Sequence, residues 1–68
     1  MTEIFDNISD ETKEIARLAW TVAMAQNDPA TAANFLNSVT EYYRNILTEV
    51  EVEFLQFYFN MRMEMIKQ

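Results

Sequence analysis

Three glutamates at alternate positions, Glu49, Glu51 and Glu53, have a spacing that first suggests chemistry in this 68-residue sequence. Carboxylates in groups serve as proton donors and acceptors or as ligands for hard cations. On a helix, successive members of this triplet point about 200° apart, so the three do not converge. Glu49 and Glu53 do share a face, and two such pairs brought together by a dimer would gather four carboxylates. Bundle sites of that kind also draw on Glu-x-x-His motifs, and the chain has no histidine. The triplet therefore reads as a solvated acidic face, suited to a basic partner, with no metal, cofactor or catalytic residue expected.

The absences support that expectation. Without histidine or cysteine there is no imidazole or thiolate nucleophile, no Ser-His-Asp triad and no zinc or iron site built on nitrogen and sulfur. Without glycine there is no P-loop and no dinucleotide-binding fingerprint. The charge of −6 and five scattered basic residues oppose direct contact with nucleic acid or anionic membranes. The acidic start, Met1 to Asp6, lacks the pattern of a secretory signal, and a soluble cytoplasmic protein is the expectation.

Apolar side chains offer more. Met61, Met63 and Met65 alternate, as in adaptable binding surfaces built on flexible, polarizable side chains, although ordinary core or dimer packing is the commoner reason for such a pattern. Trp20 lies off the main apolar stripe of its segment and is either an exposed binding hot spot or a second core face packing on Phe35 or Tyr42. The pair Tyr42–Tyr43 carries no mark of catalysis.

The elements that must position these residues are helical. Residues 1–8 form a lead-in. Ser9 reads as an N-cap followed by acidic Asp10 and Glu11, and Ile15, Leu18, Ala19, Val22 and Ala25 recur at helical spacing over 10–26. Ala16 and Ala23 flank that stripe and permit close helix approach. Asn27-Asp28-Pro29 ends one helix and starts another, with Asp28 as N-cap and Pro29 at the first helical position. Beyond Pro29 neither glycine nor proline interrupts the chain. Leu36, Val39, Tyr43, Leu47, Val50, Phe54, Tyr58, Met61 and Met65 recur at spacings of three and four, an eleven-residue repeat that predicts one long, nearly straight helix over 29–67. Capping-box patterns at Ser38–Glu41 and Thr48–Glu51 mark two places where it would break, near 38 or 48. The strict alternation of Glu49–Phe54 and Phe57–Met65 also admits a strand, paired between chains, which would make the fold α+β.

A helix over 29–67 would be about 58 Å long, against roughly 25 Å for the first helix. The half from 47 onward would then have no cover from its own chain, yet it is the most apolar part. Val50, Phe54, Phe57, Tyr58, Met61 and Met65 form one face, and Val52, Leu55, Phe59, Met63 and Ile66 a second, with Glu51 and Arg62 between them where they could pair. A chain of this size is only marginally stable without disulfide or metal, and self-association is the common remedy. The expected architecture is all-α: an antiparallel helical hairpin with a long C-terminal helix, assembling as a helical-bundle homodimer. Leu36, Val39, Tyr43, Leu47, Val50 and Phe54 are expected in the dimer core, with Glu49, Glu51, Glu53, Phe57, Tyr58, Met61, Met63 and Met65 on a partner-binding surface. The expected function is non-enzymatic: a small acidic regulator, adaptor or inhibitor that binds itself and a further protein. An acidic mimic that blocks a nucleic-acid-binding protein and a structural subunit of a larger assembly are the alternatives.

Overall fold

A computed structural model describes residues 7–67 and shows three α-helices: α1 (Asp10–Met24), α2 (Pro29–Tyr43) and α3 (Glu49–Lys67). Residues 49–65 are helical, and no strand occurs among the described residues. The α+β alternative is thereby set aside, because Glu49–Met65 lies within a helix whose backbone groups bond internally.

Local chemistry fixes each start. Ser9 is extended and its Oγ accepts from the Thr12 N–H at 3.2 Å, with Asp10 and Glu11 in the first turn, where the helix dipole favours anions. Asp28 accepts from the Thr31 N–H and Thr31 Oγ1, both at 3.0 Å, and Pro29 follows in the first turn. α1 ends at Ala25 in a right-handed conformation, and the turn to α2 needs no positive φ at Asn27.

The single long helix over 29–67 is not formed. The chain turns at residues 44–48, where the N–H groups of Ile46 and Leu47 both donate to the Tyr43 carbonyl at 3.0 and 2.9 Å. The capping box at Thr48–Glu51 is the one used. Glu51 N–H donates to Thr48 Oγ1 at 3.3 Å, and Glu51 Oε1 accepts from Thr48 N–H at 3.4 Å and from its hydroxyl at 3.2 Å. The pattern at Ser38 lies inside α2, and Glu41 pairs instead with Arg44 at 3.0 Å.

Burial explains why the break wins. Folding α3 back buries Val52, Leu55 and Phe59, about 2 kcal/mol each. An uninterrupted helix would keep a few more backbone bonds, each worth about 1 kcal/mol net, and turn and box replace some of those.

The ends that meet fix the directions. Thr12 lies beside Glu51 near the starts of α1 and α3, and Trp20 lies beside Arg62 farther along, so α3 runs alongside α1 in the same sense. Pro29 and Ala32 at the start of α2 share a depression with Met63 and Ile66 near the end of α3, so α2 runs opposite to α3. The body measures 33 × 28 × 15 Å, thin enough for each helix to keep an outward face.

The core is formed by Ala16, Ala19, Trp20 and Ala23 of α1, Ala32 and Leu36 of α2, and Leu55 and Phe59 of α3. In α1 the buried face is thus the alanine face with Trp20, and the stripe of larger residues is turned out: Leu18 and Val22 are 50% and 45% exposed. Small side chains let two neighbouring helices approach at once, and Trp20 fills the remaining space. Trp20 is accordingly a core residue and not an exposed hot spot.

Candidate interaction surface

The eleven-residue stripe divides at the break. Leu36 is buried in the chain's own core, and Val39, Tyr43, Leu47 and Phe54 pack against it, whereas Val50 is exposed. Five of the six residues expected in a dimer core therefore sit in the core of the monomer or against it. The uncovered half from 47 onward is covered on one side, because the turn at 44–48 returns it to α1 and α2.

α3 now has two apolar faces with different fates. Val52, Leu55 and Phe59 are buried, and Met63 packs against the core from the edge. The opposite face carries Val50, Phe57, Met61 and Met65, with half-buried Phe54 and Tyr58 along its inner border. Exposures of 46% for Val50, 51% for Phe57, 42% for Met61 and 65% for Met65 make this a continuous apolar strip along the whole helix. Within it the Phe54 and Tyr58 rings lie 5.9 Å apart and tilted by 45°, while Tyr58 meets Phe59 edge-on at 5.9 Å. The Arg62 guanidinium lies 5.2 Å from the Trp20 ring and 5.6 Å from Tyr58. This cation–π contact with two rings contributes on the order of 0.5–1 kcal/mol in all and ties the strip's edge to α1.

The three methionines do not act together. Met61 and Met65 face outward, but Met63, about 200° around the helix from each, packs on the core and borders the groove between α2 and α3. That groove, about 260 Å³, is mostly polar in character, with Asn37, Thr40, Arg44, Gln56 and Asn60 around it.

The glutamates separate too. Glu49 and Glu53 are exposed and border a depression with Arg44, Val52 and Gln56. Glu51 turns the other way. Its Oε2 accepts from Ser9 N–H at 3.4 Å and from Thr12 Oγ1 at 3.1 Å, while Oε1 closes the box on Thr48. One carboxylate thus caps α3 and clamps it to the start of α1. Burial pushes the Glu51 carboxyl pKa up, but the hydrogen bonds from Ser9, Thr12 and Thr48 outweigh it and hold it below the ordinary value of 4.5. Among the described residues no three His, Cys, Asp or Glu side chains are placed to hold a metal ion.

Sequence reasoning missed the partners of this clamp. It paired Glu51 with Arg62, but Glu51 bonds to hydroxyl and amide groups and Arg62 lies on aromatic rings. The available signal was Thr48–Glu51 itself; nothing local to it points to Thr12, 39 residues away. On the surface it also passed over Ile46, 58% exposed, and Tyr42, offered as a core partner of Trp20, is 67% exposed.

Comparison of the chain with protein-family models, with curated proteins and with solved structures returns no match. Among the described residues no helix is long and apolar enough to cross a membrane.

Proposed function

We propose that this chain is a non-enzymatic protein-binding module, a small acidic regulator, adaptor or inhibitor acting as a homo-oligomer in the cytoplasm. The outer face of α3 is its recognition surface. The observation that carries this reading is the exposure of Val50, Phe57, Met61 and Met65 along one side of a capped helix. Apolar patches of this extent on small proteins mark interaction sites. Phe57 near the middle of the strip supplies a large, stiff anchor, and the methionines supply adaptable contacts.

The test compares two exposed apolar sites. Phe57→Glu, on α3, is expected to abolish association, measured by light scattering, with helicity retained. Leu18→Glu, on the outer side of α1, is expected to leave association intact. Equal effects of the two would remove the special role of α3.

Acidic mimicry of nucleic acid is the second reading, favoured by exposed Asp10, Glu11, Glu49 and Glu53 and the charge of −6. It predicts a basic partner whose affinity falls steeply with salt. An apolar interface on α3 would lose far less.

A further inference from the structure

The residues of the α3 strip are spaced symmetrically. Val50, Phe54, Phe57, Tyr58, Met61 and Met65 are separated by 4, 3, 1, 3 and 4 positions, a palindrome centred between Phe57 and Tyr58. A two-fold axis presents the same patch on both partners, so a patch that pairs with itself needs this property. In the antiparallel arrangement, Val50 meets the partner's Met65 and Phe54 meets the partner's Met61. Phe57 and Tyr58 flank the axis, so Phe57 lies level with the partner's Tyr58. All three layers are apolar.

Charge selects the same direction. The first turns of α3 carry Glu49, Glu51 and Glu53, a charge of −3, whereas its last two turns carry Arg62, Glu64 and Lys67, a charge of +1. Antiparallel pairing sets −3 against +1, and parallel pairing would set −3 against −3. Antiparallel alignment also opposes the two helix dipoles favourably.

The area is adequate for a modest interface. Four large side chains about half-exposed, with less-exposed Phe54 and Tyr58 beside them, offer roughly 500 Å² per copy. With polar flanks this approaches the roughly 600 Å² per partner of the smallest specific interfaces. Association should therefore depend visibly on concentration.

We propose that two copies of this chain pair antiparallel through the Val50–Met65 strip of α3, about a two-fold axis between Phe57 and Tyr58. The proposal rests on the reading of α3's outer face as a binding surface and adds the occupant, its direction and its register.

Cysteine cross-linking tests it, since the chain has no cysteine of its own. Full-length Val50→Cys and Met65→Cys variants are oxidised separately and as a mixture, with helicity checked in each. Positions 50 and 65 are about 22 Å apart along the helix, and a disulfide needs Cα atoms within about 7 Å. The expected result is a 50–65 cross-linked dimer from the mixture and no disulfide-linked dimer from either variant alone. Phe54→Cys mixed with Met61→Cys repeats the test one layer nearer the axis, so a local disturbance at one layer does not decide the outcome. Cross-linking of Val50→Cys alone would keep the dimer and overturn the antiparallel register. A dimer giving neither mixed disulfide would place the interface elsewhere and overturn the proposal. Wild-type protein that stays monomeric at every concentration would overturn both this proposal and the self-associating form of the function, leaving the strip to a different protein.

Discussion

The two faces of α3 are alike in composition and opposite in fate. The inner face buries Val52 and places Leu55 and Phe59 against the alanines of α1 and Leu36 of α2, and Leu55 is completely buried. The outer face places Val50, Phe57, Met61 and Met65 in contact with solvent. Hydropathy alone does not separate them. What separates them is the neighbouring surface: α1 presents small residues that admit a second helix closely, and the Glu51 clamp sets the rotation of α3 about its own axis. An apolar face serves stability when a complementary surface exists within the chain; among the described residues the outer face stays largely exposed.

Substitutions should split along that division. The largest expected effect is at the inner face: Leu55→Ala should cost about 3 kcal/mol by lost burial and a residual cavity, lowering the urea midpoint in chemical denaturation. The clamp comes next. Glu51→Gln keeps the shape but replaces a charged acceptor, and should cost about 1–2 kcal/mol at pH 7. The pH dependence gives the sign. A carboxyl held below its ordinary value contributes stability that is fully present above about pH 4.5 and fades as pH falls through the folded-state value. Wild type and Glu51→Gln should therefore converge in stability at low pH and diverge above it; a constant gap across that window would mean that the charge of Glu51 is not what matters. Arg62→Met, which removes the cation between Trp20 and Tyr58, should cost about 0.5–1 kcal/mol. The smallest effect on the monomer belongs to the outer face: Met61→Ser should shift stability by less than about 0.5 kcal/mol under dilute conditions, while weakening association. A large loss of monomer stability from Met61→Ser would erase the contrast between the faces.

Much of this architecture was legible in the residues. Ser9 and Asp28 name their helix starts because short polar side chains satisfy free N–H groups, and Pro29 marks a first turn. The break at 44–48 was harder, because no glycine or proline announces it; the turn is held by Thr48 and Glu51, a pair that also occurs inside continuous helices. The eleven-residue repeat was real as a spacing but misleading as a helix, since Leu36 and Phe54 reach the same core from two different helices. The choice of buried face on α1 and α3 was not legible either. Alanine carries little hydropathic weight, so Ala16, Ala19 and Ala23 look weaker than Leu18 and Val22, yet close approach favours them. The Thr12–Glu51 contact joins residues whose proximity exists only once the chain has folded back.

The central claim, that the outer face of α3 is a surface for association, is tested most directly by the solution mass of the unaltered protein over a concentration series, with helicity followed on the same samples. The expected result is a helical species that passes from 8.0 kDa at high dilution to about 16 kDa as concentration rises. A fully helical chain that remains at 8.0 kDa throughout, with its apolar strip in water, would contradict it.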